Sequence, residues 1–91
     1  MRSSYDQARA DFLQIELDLA VTFCRVGLTT RHYAGAERNA ESARAALRTA
    51  LQQRERLSLT KQQKQAVFTK TSQAVFLLVQ LEHRCIRFPD N

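Results

Sequence analysis

Apolar residues recur three and four positions apart in three stretches of this chain, the spacing of one helix face at about 100° per residue. In the first stretch Tyr5, Ala8, Phe12, Ile15, Leu19 and Val26 form one row, and Leu13, Leu17, Ala20 and Cys24 form an adjoining one. Two adjoining rows predict a face wide enough to meet two partner helices. Asp11, Gln14, Asp18, Thr22 and Arg25 fall opposite, on the wet side. Ser3 and Ser4 supply start signals, and Ser4 with Gln7 fits a capping box. Gly27 fits a stop.

The second stretch buries a row of small residues: Ala36, Ala40, Ala43, Ala46, Leu47, Ala50 and Leu51. Glu37, Arg38, Glu41, Ser42, Arg48 and Gln52 lie outside, with Glu41 and Arg44 spaced to pair. In the third stretch Thr60 and Gln63 form another capping box. Ala66, Val67, Ala74, Leu77, Leu78, Leu81 and Cys85 then make a core face, until Pro89 forbids helix. The prediction is an all-α fold with helices at about 4–27, 33–53 and 60–86 and a short tail from 86 to 91. Short loops make it a three-helix, up-down-up antiparallel bundle and a single domain over 1–91.

One residue breaks the pattern. Glu16 falls in the middle of the broad apolar face of the first helix. An unpaired buried charge costs several kcal/mol, roughly, so it needs a partner or a route to water. Arg9, Lys64, Thr71 and Arg44 are candidates, and Arg44 at the edge of the alanine face is the expected partner. Glu16 and Arg44 are therefore read as a buried polar pair rather than as catalytic groups.

Composition narrows the class. The chain has 91 residues, two glycines and one proline, and helix formers abound. The first residues lack the apolar core of a signal peptide. The longest apolar run, Ala74 to Val79, is far short of a membrane span. A cytoplasmic protein with no membrane role and with reduced Cys24 and Cys85 is expected. Charge is uneven within the total of +5. Residues 5–28 carry a net −2, whereas 31–70 hold nine Lys/Arg against three Glu.

Catalytic chemistry finds no support in the pattern. Gly27 and Gly35 stand alone, so no phosphate-binding loop is present. His83 and Cys85 point about 200° apart on a helix, and His32 lies in a distant loop, so no metal site is expected. No catalytic residue and no cofactor is assigned. Arg38, Arg44 and Arg48 are possible nucleic-acid contacts, but they scatter around their helix among Glu37 and Glu41. Nucleic-acid binding through that surface is the second reading, below protein interaction.

The third helix carries more apolar residues than one core can take. Phe68, Val75, Val79 and Ile86 form a displaced row, and Phe76 lies further round. A contiguous exposed apolar row marks an interface, unless the tail "IRFPDN" folds back over it. Self-association as a homodimer is its simplest form, since most soluble oligomers are twofold homo-oligomers.

The spacing of Ala36, Ala40 and Ala43, repeated by Ala43, Leu47 and Ala50, resembles the second helix of a tetratricopeptide-type hairpin. The resemblance covers residues 36–50. The family's aromatic and glycine positions on its first helix, and its closing proline, have no counterparts here. The resemblance implies a protein-interaction module without an active site, built as one hairpin with a third capping helix. The reading as a whole is a non-enzymatic interaction or assembly module that binds a protein partner or itself through the third helix.

Overall fold

The computed structural model describes residues 4–87. They form three helices and no strand: α1 (Ser4–Thr29), α2 (Tyr33–Arg56) and α3 (Lys61–Arg87). The predicted tail beyond Arg87 and the start signal at Ser3 lie outside the described residues. Each helix packs on both others, and α2 and α3 touch least. α1 and α3 run parallel, because Gln63 reaches Gln7 and Lys70 reaches Asp18 at nearly constant offset. The three-helix, up-down-up bundle is therefore what the chain forms.

The bundle is thin, with extents of 57 × 18 × 17 Å. Half of its sixteen buried apolar side chains are alanines, five of them on α2 at 36, 40, 43, 46 and 50. Alanine loses no side-chain entropy in a helix, and its small size lets backbones close up. It also buries little area, so cohesion rests on Leu13, Leu17 and Leu81, which are fully buried. Among the described residues no polar or charged residue is buried.

The ends of the helices show how sequence sets the boundaries. Thr60 and Gln63 cap α3 reciprocally: the Thr60 N–H donates to Gln63 Oε1 at 3.0 Å, and the Gln63 N–H to Thr60 Oγ1 at 3.1 Å. The matching box at Ser4 does not form. Ser4 is already helical, and Gln7 turns instead to Asp11 and Gln63. α2 runs three residues beyond its predicted end, to Arg56.

Gly27 is not a stop. α1 continues to Thr29, and no described glycine has a positive φ. Gly27 is buried instead as a notch for α3, and a Cβ there would sit 2.7 Å from Leu81 Cδ2 and 3.0 Å from Asn39 Cβ. Two tertiary contacts thus need a residue that helix propensity disfavours. The end of α1 is closed from outside: the Arg84 guanidinium of α3 donates to the carbonyls of Gly27 at 2.8 Å, Leu28 at 2.6 Å and Thr30. A cation on free C-terminal carbonyls also opposes the helix dipole, and α1 has no basic residue in its own last turn.

Gly27→Ala is expected to destabilise the fold by about 1–2 kcal/mol, because overpacking exceeds the roughly 1 kcal/mol gained in helix propensity. In a Leu81→Ala background the closest obstruction is gone and the Asn39 Cβ contact at 3.0 Å remains, so the same change should cost less or turn stabilising. Urea unfolding of the four chains of this cycle reads both signs. Additive losses would mean that Gly27 and Leu81 do not share the space.

Candidate interaction surface

On α1 the structure chooses between the two predicted rows. Leu13, Leu17, Ala20 and Cys24 are buried, joined by Ala10 and Val21. Tyr5, Phe12, Ile15, Leu19 and Val26 are exposed, against the expectation of a face doubly covered. The reason is the thinness of the bundle: two neighbours around a seam of alanines leave the outer side of α1 uncovered.

This displaces Glu16. With one row buried and the other outside, Glu16 lies at the border between them and is only half-buried. The expected pair with Arg44 does not form. Arg44 lies across the α2–α3 seam, 3.1 Å from Glu82 and 3.5 Å from Glu37, so the spacing with Glu41 is unused as well. Arg9 stands over the Tyr5 ring, 5.5 Å from its centroid, and Thr71 Oγ1 is buried with no partner. No ion pair or hydrogen bond engages Glu16 among the described residues, and the route it takes is to water.

On α3, Val67, Ala74, Leu78 and Leu81 enter the core. The displaced row is outside: Phe68 is 65% exposed, Val75 43%, Val79 59% and Ile86 83%, with Phe76 at 63%. Phe68, Val75, Val79 and Ile86 fall within about 40° of one another and span about 27 Å of helix. They flank the α2–α3 seam, on the side of α3 away from α1, because Lys70 and Arg84 mark the α1 side through Asp18 and the α1 carbonyls. Near the α2–α3 loop the seam opens into a groove of about 530 Å³. Leu57, Leu59 and Phe68 line its apolar part, and Arg54, Lys61 and Lys64 its rim.

The three arginines considered for nucleic acid differ in setting. Arg38 and Arg48 are exposed, and Arg44 is occupied by its two carboxylates.

Neither cysteine is set up as a nucleophile. Burial pushes the Cys24 thiol above its ordinary value of 9.0, the Glu82 charge adds to this, and its Sγ leans on the Ala74 carbonyl at 3.9 Å. Cys85 is raised as well, by burial first and then by Glu37, against the lowering influence of Arg44 and Arg84. A raised value leaves little thiolate at neutral pH. Among the described residues no three His, Cys, Asp or Glu side chains gather as a metal site, and no helix is long and apolar enough to cross a membrane.

No family model, curated protein or solved structure matches the chain. The surface must be judged on its own geometry.

Two measurements check this account. Glu16→Gln is expected to change stability by less than about 0.5 kcal/mol, as at an ordinary surface site. A double-mutant cycle on Arg44→Ala and Glu82→Ala should show coupling of about 0.5 kcal/mol, modest because both groups are partly exposed. A strong Glu16–Arg44 coupling would contradict the observed pairing.

The Cys24 thiol predicts a pH dependence. A group whose folded value lies above its unfolded one contributes fully below the unfolded value and loses that contribution as pH rises through the folded one. Stability should therefore decline above pH 9.0, the ordinary thiol value, as the unfolded chain alone ionises. The difference between the original chain and Cys24→Ala in urea midpoint should be constant below pH 8 and change between about pH 9 and 11. A flat difference would mean that the thiol ionises in the folded state as easily as in the unfolded one.

Proposed function

We propose that this chain is a small, non-enzymatic, cytoplasmic protein–protein interaction or assembly module that works through the outer row of α3. The observation that carries the reading is the continuous exposure of Phe68, Val75, Val79 and Ile86 along one side of one helix. Exposed apolar residues scattered singly need no explanation, whereas an aligned row does. Its neighbours support a docking role: the row borders an open seam, and its upper end enters the groove at Leu57 and Leu59. A packed helix in that position would meet knobs spaced seven, four and seven residues apart, near the spacing of a coiled-coil seam.

Self-association is the simplest use of such a row. Light scattering on the purified chain is expected to give a mass above the 10.5 kDa of one copy, rising with concentration. Val79→Glu and Val75→Lys should return it to one copy with helicity unchanged by circular dichroism. Association that survives both substitutions would remove α3 from the interface.

A further inference from the structure

The end of the α3 row beside the α2–α3 loop has basic borders. Lys61 and Lys64 stand on either side of Phe68 on the helix, and Arg54 faces them across the groove. None of the three makes an ion pair with a described residue. Pressing α3 side by side on a parallel second α3 would set these cations against each other, and like charges across an interface weaken it.

The other unpartnered row has the opposite sign. Phe12, Ile15 and Leu19 stand exposed on α1. At helical spacing Asp11 and Asp18 border them on one side and Glu16 on the other. Asp18 is held by Lys70 and Asp11 accepts from Gln7, while Glu16 is unpaired among the described residues. An apolar row with acidic borders and an apolar groove with basic borders are thus present on one chain.

They face different ways. The α1–α3 seam, with its Asp18–Lys70 bridge, lies between them. The row on α1 turns from that seam toward its α2 side, and the row on α3 turns from it as well. One copy cannot bring the two together, so a contact between them joins two copies.

We propose that the occupant of the α2–α3 groove is α1 of a second copy of this chain. Phe12, Ile15 and Leu19 seat against Phe68 and its row, and Asp11 and Glu16 face Lys61, Lys64 and Arg54. The contact is head-to-tail, so each added copy leaves a free groove at one end and a free α1 row at the other. This rests on α3 being an interface and assigns what it binds. It also gives Glu16 a partner that its own chain withholds.

Charge reversal tests the assignment. Asp11→Lys with Glu16→Lys, or Lys61→Glu with Lys64→Glu, should each weaken self-association of the full chain by at least about tenfold in sedimentation velocity at low salt. Each variant alone repels itself, but in an equimolar mixture every contact pairs opposite signs, so assembly should recover. Species larger than two copies should appear in the original chain and in the mixture. The milder Asp11→Asn with Glu16→Gln serves if a reversal perturbs helicity, and should weaken association less. A mixture that stays at one-copy mass overturns the proposal. Charge variants that associate like the original, while Val79→Glu does not, also overturn it and leave α3 as an interface with another occupant. An original chain that remains one copy at millimolar concentration overturns the interface as well.

Discussion

The alanine face of α2 is the constraint from which the other features follow. Ala36, Ala40, Ala43, Ala46 and Ala50 let α1 and α3 come in close on one helix, and the bundle that results is only about two helix diameters across. A thin bundle has a narrow interior. α1 and α3 each bring two apolar rows, and each finds room for one. The row that packs holds the leucines that face the alanines, and the row left over becomes surface. Exposure of those rows is therefore a consequence of the packing that stabilises the fold.

The same constraint places weight on a few contacts at the far end of the bundle. With little buried area per residue, the relation of α1 to α3 depends on shape and on directed polar groups. Gly27 and Leu81 supply shape, as a notch and the side chain that fills it. Arg84 supplies direction, since three carbonyls at the end of α1 fix both the position and the rotation of α3 beside it. These two devices sit within a few residues of each other on α3, so one turn of helix sets the register of the parallel pair. Among the described residues the α2–α3 seam is held by weaker, partly exposed contacts. One of its cross-links is the bridge from Arg44 to Glu82, which is half in water, and toward the α2–α3 loop the seam opens into the groove.

What was legible in the sequence divides along the same lines. Helix number, order and approximate ends follow from periodicity and from local chemistry, as at Thr60 and Gln63, where both partners lie within one turn. The alanine row was legible because a run of small residues at helical spacing has one use. The choice between the two rows of α1 was not, because both have the right period and only the girth of the assembled bundle decides between them. Gly27 looked like a terminator because its tertiary role depends on Leu81, more than fifty residues away. The Arg84 clamp left a faint signal: α1 ends without a basic residue in its last turn, so the charge its carbonyls attract must come from elsewhere. The pairing of Arg44 is illegible for a related reason: sequence offers it Glu16 and Glu41, whereas Glu82 reaches it only because the fold brings α3 across the seam.

Glu16 shows how far the meaning of a residue depends on which row is inside. On a doubly buried face it would be an isolated charge in an apolar seam and would demand a partner within the chain. On the border of an exposed row it is one of three carboxylates that give that row a sign. A bare apolar stripe is indiscriminate, and it will stick to any other of similar width. Acidic borders on α1 and basic borders beside α3 oppose the pairing of either row with its own copy and favour the pairing of one with the other. Charge in such a place adds little to affinity and much to the choice of partner. The carboxylate that interrupts the hydrophobic pattern of α1 is thus better understood as a restriction on what that pattern can touch.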